Sequence, residues 1–234
     1  MEKEILIPGS DSQLKLVMEI YSFDNPRILV VGSSSEFAAA KLAEKTDQVV
    51  ELIVEDYDSL INSKMVLDNN PKVKVRLMDF EVTDFDKDTF DLIYAQCSIT
   101  NVRKNKIVKH LKKLLKKGGT ITVGEIVNLR EDKPVFLDDI WESADLDPAF
   151  TEDLRKYYEE RNFIITEEVD LSSKLYNYYS ANIKKLSAAK DLLEENEKSY
   201  HKKLLKRVSH ESGVYLKQGG DKYIGFKVLI MEKG

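Results

Sequence analysis

A single cysteine, Cys97, in 234 residues leaves no partner for an internal disulfide and excludes a multi-cysteine metal or arsenic site. That cysteine usage makes the cytoplasm the expected compartment. Long hydrophobic runs are absent too. Met1 to Lys15 has no unbroken apolar core, so neither a membrane span nor a secretory signal is expected. Positive charge is not in excess: 36 Lys and Arg stand against 41 Asp and Glu, a formal net charge of −5. A nucleic-acid partner, whose phosphates need clustered and uncompensated base, is therefore not expected. The one stretch that objects is the lysine-rich segment Lys104 to Lys117. Its inner stripe of Ile107, Val108, Leu111, Leu114 and Leu115 reads as an amphipathic helix with a solvated basic face. Only three histidines occur, and His110, His201 and His210 sit in lysine-rich helical surroundings, which suits surface residues rather than metal ligands.

What is present is a soluble globular composition, 42% hydrophobic and 33% charged, long enough to bury a sizeable core. No repeat, low-complexity tract or linker divides it, so residues 1–234 read as one domain. The stretch ILVVGSSSEFAAAKLAEKTDQVVELIVE carries most of the organisation. Ile28 to Val31 is a continuous apolar run, as in a strand buried on both faces. It breaks at Gly32 into three serines, and helical spacing resumes from Phe37 to Glu44. Val49 to Val54 is a second run, ending in Glu55 and Asp56. Strand, turn, helix, strand, acid is an arrangement that aims backbone N–H groups and a helix N-terminus above the sheet. An acid about 20 residues on, at the tip of the neighbouring strand, can accept hydrogen bonds from both hydroxyls of a ribose. The stretch is a candidate nucleoside site, and a plain strand-to-helix connection is the competing reading.

Alternation of strand and helix continues. A helix is expected at Gln13 to Tyr21, capped by Asp11 or Ser12, and another at Asp58 to Asp68. Val73 to Met78 alternates, which suits a strand near the sheet edge, and Asp79 and Phe80 follow it. Phe90 to Ala95 is nearly continuous in apolar character and reads as a central strand. A helix from Asn101 to Lys116 is expected to end at Gly118 and Gly119 as a C-cap, before a fifth strand from Thr120 to Val127. Leu129 to Pro148, acidic and with two prolines, reads as a connection with one helical turn. Thr151 to Arg161 is a helix capped by Thr151, and Phe163 to Val169 a sixth strand. Ser173 to Ser209 is expected to form two helices bent near Glu195 to Glu197, then a turn-rich loop from Gly213 to Lys222 and a last strand from Tyr223 to Met231. The fold class is α/β: a doubly wound, seven-stranded, mostly parallel sheet. A helical lid, 173–212, is inserted between the sixth and seventh strands.

The motifs ILVVGSSSEFAAAKLAE, VKVRLMDFEVTDFDKDTFDLIYA and LKKLLKKGGTITVGEI, in that order and closely spaced, resemble class I S-adenosylmethionine-dependent methyltransferases of small-molecule type. The first motif diverges. Gly32 keeps the first of three alternating glycines, Ser34 and Glu36 stand at the other two, and Val30 replaces an acid. The resemblance implies S-adenosyl-L-methionine as cofactor, with Gly32, Ser33, Ser34 and Glu36 at its methionine end. Glu55, beside Asp56, would serve the ribose, and Asp79 with Phe80 the adenine. It also implies that Gln96 to Asn101 face the transferred methyl. An adenine needs an acceptor at its amine and an apolar surface against its ring, which Asp79 and Phe80 can provide. A nicotinamide cofactor is disfavoured, because its phosphates need glycines where Ser34 and Glu36 stand.

Methyl transfer asks mostly for alignment, so no catalytic residue is readable. Tyr94, Cys97, Trp141, Tyr176 and Tyr179 are candidates for the acceptor's surroundings, through stacking or cation–π attraction. Each reads equally as core. Cys97 has no histidine at a recognisable spacing to activate it. The expected function is methyl transfer to a small-molecule acceptor. A non-catalytic nucleotide or partner binder on the same fold, and a protein or RNA methyltransferase, stay open as alternatives. A homodimer stays open as well.

Overall fold

The continuous apolar runs form the middle of the sheet. In a computed structural model that describes residues 7–190 and 209–234, Ile28–Val31 (β1) and Phe90–Gln96 (β4) lie side by side and parallel, β1 with no exposed residue. Val50–Val54 (β2) pairs with β1, and the alternating Val73–Leu77 (β3) occupies the edge that its pattern suggests. Leu115–Asn128 (β5) adds parallel to β4. The last two strands are antiparallel: Ile224–Lys233 (β7) inserts between β5 and Phe163–Asp170 (β6). The order is β3-β2-β1-β4-β5-β7-β6, seven strands with the parallel part first.

Helices cover both faces. Ser12–Ile20 (α1), Glu36–Ala43 (α2) and Tyr57–Leu67 (α3) lie on one side, where Leu14, Val17, Ala39 and Leu42 pack on Val30, Leu52 and Tyr94. Lys104–Leu114 (α4) and Thr151–Glu159 (α6) lie on the other, burying Ile107, Leu111, Leu154 and Tyr158. The stripe expected inside the lysine-rich helix is the buried one. Successive crossovers return each strand to the same edge, so the carboxyl ends of β1, β2, β3 and β4 open on one rim.

Four local expectations are corrected. Gly118 and Gly119 do not cap a helix: α4 ends at Leu114, and β5 begins at once with Leu115 opposite Phe90. The next paired positions are Leu92 and Thr120, so the glycines sit in an irregularity where β5 carries the extra residues, Gly118 at φ 69°. The acidic connection holds a full helix, Phe136–Ala144 (α5), because Leu137, Ile140 and Trp141 bury one face while Asp138 and Asp139 suit its first turn. Residues 209–217 are helical (α8) where a loop was expected from Gly213, since Val214 and Tyr215 are drawn into the core. Thr151 opens α6 but does not cap it: Phe150 holds that position, and the Thr151 hydroxyl has no partner.

Leu175–Lys190 (α7) follows β6 in sequence and α8 precedes β7. Leu175, Tyr179, Val214 and Tyr215 pack with α5 against Ile126, Phe226 and Val228. The bend expected near Glu195 to Glu197, and His201, lie outside the described residues.

Candidate functional site

At the end of β1 the chain turns at Gly32 with φ 115°, and a Cβ there would stand 2.4 Å from the Cβ of Ser98. The loop after β4 thus presses against the turn so closely that only glycine fits. Ser33 and Ser34 are exposed, Ser34 in the left-handed region at φ 63°. Ser35 stands at the N-cap of α2, yet its buried hydroxyl makes no capping bond, and the Ser98 hydroxyl has no partner either. Two orphaned hydroxyls and the open N-terminus of α2 therefore border the turn. Glu36 is turned elsewhere. Its buried carboxylate accepts from the Ser63 hydroxyl at 2.5 Å, which ties α2 to α3.

Glu55 follows β2 and Asp79 follows β3, and both line one groove with Leu77, Met78 and Arg103, a cavity of about 370 Å³. Glu55 Oε1 accepts from the Phe80 amide at 3.0 Å, and Oε2 holds the Arg103 guanidinium. The same guanidinium reaches Asp79 at 3.5 Å and Glu81 at 3.6 Å. Its hydrogen bond with Glu55, the foremost cause, raises the Arg103 pKa above its ordinary value. Asp56 does different work: its carboxylate takes the Ser59 amide at 2.7 Å and hydroxyl at 2.6 Å, capping α3. Partial burial opposes the charge on Asp56, but those donors outweigh it and hold the carboxyl below its usual value. Phe80 is 4% exposed and packs into the core with Ile53, Phe90 and Ile99, leaving its backbone rather than its ring at the rim.

At the tip of β4 the Gln96 amide donates to the carbonyls of Pro8 at 2.7 Å and Ser10 at 3.0 Å, and accepts from the Tyr94 hydroxyl. Gln13 of α1 donates to Ala95 O and to the Thr122 hydroxyl. Gln96 thus pins the segment before α1, and Gln13 the first turn of α1, across the end of β4. Tyr94 is fully buried beneath them. Cys97 has φ 52°, and burial first, then the nearby Glu125 carboxylate, pushes its thiol well above the ordinary value. That disfavours the thiolate a nucleophile needs.

The acceptor candidates divide. Trp141 is 6% exposed and donates to Asn128 Oδ1 at 3.2 Å; Tyr179 is 4% exposed and stacks on Tyr215 at 4.4 Å. Tyr176 is 61% exposed. None of the three lines the groove that holds Glu55 and Asp79, and Trp141 and Tyr179 share one buried cluster.

Sequence reasoning misses two residues, Arg103 and Lys104. Lys104 Nζ lies 2.5 Å from Glu125, a fully buried carboxylate that also accepts from the Tyr158 hydroxyl and from Thr100 at 3.3 Å. A signal was there: two cations at the start of α4 oppose the helix dipole, so each needs an acid nearby. Among the described residues no group of three or more His, Cys, Asp or Glu could hold a metal, and no helix is long and apolar enough to cross a membrane.

Residues 29–123, which include the turn, both acids and α4, match the family model described as a methyltransferase domain. Those residues are similar to a methyltransferase domain. No curated protein sequence matches the chain. Solved structures share the fold across nearly the whole length of the chain. The [4+2]-cyclase SpnF is 17% identical, covering 95% of this chain and 80% of its own, with TM-score 0.77. A Galdieria sulphuraria structure provisionally assigned as a sarcosine dimethylglycine methyltransferase is 11% identical over 96% of this chain and 85% of its own, TM-score 0.76. Phosphoethanolamine N-methyltransferase 2 of Haemonchus contortus, solved with phosphomonomethylethanolamine and S-adenosylhomocysteine, is 12% identical over 99% of this chain and 55% of its own, TM-score 0.79. At such identities the likeness is one of fold.

Proposed function

We propose that this protein transfers a methyl group to a small-molecule acceptor, with S-adenosylmethionine held across the rim of β1, β2 and β3. The observation that carries the reading is that Glu55 and Asp79, at the tips of adjoining strands, share one groove. Glu55 would take the ribose hydroxyls and Asp79 the adenine amine, with the Phe80 amide beside them. Gly32, Ser33, Ser34 and the N-terminus of α2 would take the methionine end, where the Ser35 and Ser98 hydroxyls have polar capacity to spare. Held by Ser63, Glu36 braces that turn from behind. When bound, the cofactor supplies a methyl group on a sulfonium that carries its own leaving group. The chain's part would be to hold the acceptor in line and exclude water, a role for Gln96 to Asn101 that the Gln96 bonds to Pro8 and Ser10 support.

A small acceptor is supported by the acidic net charge, which disfavours an RNA substrate, and by the names of two fold neighbours. A cytoplasmic location fits the single cysteine. Mass spectrometry of ligand released from purified protein tests the cofactor reading: S-adenosylmethionine or S-adenosylhomocysteine is expected. Saturation by an unrelated nucleotide, with no affinity for either compound, would contradict it.

A further inference from the structure

Arg103 stands where a cation is least welcome. It holds the N-cap of α4, where the helix dipole presents positive partial charge, with Lys104 next to it in sequence. Lys104 is matched by the buried Glu125. Arg103 is matched by acids distant in sequence: Glu55 at the tip of β2, then Asp79 and Glu81 beyond β3. The guanidinium is thus part of the groove wall and spans the two carboxylates that a nucleoside would bridge.

We propose that Arg103 is a latch that competes with the nucleoside for Glu55 and Asp79, so that cofactor binding exchanges one set of partners for the other. The inference rests on the reading of those acids given above. Guanidinium and nucleoside would compete for the same space on the groove side of the two acids. A vicinal diol meeting a carboxylate face-on needs open approach to both oxygens; in Glu55 each keeps a second lone pair beyond the Phe80 amide and Arg103, but the guanidinium lies against Oε2 in the groove that the diol must enter. On the adenine side, Asp79 Oδ1 accepts from the Glu81 amide at 2.8 Å and lies 3.5 Å from the same guanidinium, so Arg103 reaches across to this acid as well. Displacement is feasible because the pair is partly solvated: the Arg103 side chain is 37% exposed and that of Glu55 26%. Pairs so placed contribute only about 0.2–1 kcal/mol. The backbone need not move with the side chain. Asn101 Oδ1 accepts the Arg103 amide at 2.9 Å, and the neighbouring Lys104 anchors the start of α4 in the core.

Isothermal titration with S-adenosylhomocysteine, on wild type, Arg103→Ala and Arg103→Lys of matched circular dichroism, tests the latch. Arg103→Ala is expected to bind about two- to five-fold tighter than wild type, the fold-change that the pair's modest worth converts to. Arg103→Lys, with the charge kept and the fork lost, is expected between them. Adenosine, which carries no charge, adds a second readout. Its affinity for wild type is expected to rise with added NaCl as the ion pair is screened, and that of Arg103→Ala to stay flat. Wild-type binding with equal or weaker binding by Arg103→Ala overturns the latch alone and makes Arg103 a brace or a nucleoside contact. No binding by wild type or either variant overturns the cofactor reading, and the latch with it.

Discussion

Lys104 and Glu125 show how a single residue can be read two ways. In sequence, Lys104 is the first of a run of solvated lysines. In the structure it is 7% exposed, pairs with a carboxylate of zero exposure, and lies 4.3 Å from the centre of the Tyr157 ring. Removing one partner of a buried pair strands the other, so Lys104→Met is expected to destabilise the fold by about 3–5 kcal/mol. Urea unfolding measures this, and adding Glu125→Gln should recover part of the loss. His110 offers a pH-dependent counterpart. Its Nε2 accepts from the Thr83 amide at 3.1 Å and lies 2.9 Å from the Thr83 hydroxyl. Burial first, then Lys113, lowers its pKa below 6.5, with Asp79 opposing. Because the unfolded chain takes up the proton first, stability should be lost as pH falls from about 6.5 toward the lower folded value. Stability curves for wild type and His110→Gln should therefore converge across that window, the variant lacking this component of the decline.

At the scale of the element, strands were more legible than connections, for physical reasons. β1 and β4 are buried on both faces and spell it out in unbroken apolar runs, and β3 shows an edge position through its alternation. α5 was hidden because only Leu137, Ile140 and Trp141 need be apolar, while its outer face is acidic and Pro134 precedes it. α8 was hidden by Gly213, which lies inside the helix without a positive φ and so marks no turn. The Gly-Gly pair misled in the opposite direction, serving an irregular β4–β5 pairing instead of a helix end. The rim acids could be read from strand tips. At Arg103 the helix start signals that an acid is needed but not which one, because its partners lie 48 and 24 positions away and only folding brings them together. Between α2 and α3, the Glu36–Ser63 bond is an element-level tie. Ser63→Ala should cost about 1–3 kcal/mol by leaving the buried Glu36 carboxylate without that donor, and thermal unfolding will register it.

For the molecule as a whole, the parallel half of the sheet makes the rim, and the antiparallel β6 and β7 extend it on the far side of β5. Pro8 and Ser10 are drawn over the same rim by Gln96, and the start of α1 by Gln13, so residues 8–13 and four strand ends converge on one place. Function therefore turns on whether two acids, contributed by strands that neighbour each other, act on one nucleoside. Isothermal titration of S-adenosylhomocysteine into wild type and Glu55→Ala measures this directly. Saturable binding by wild type, weakened about ten- to a hundred-fold in a folded Glu55→Ala, is the expected result, the loss corresponding to one or two charge-assisted hydrogen bonds. Equal affinity in the two proteins, or none in wild type, would contradict the account.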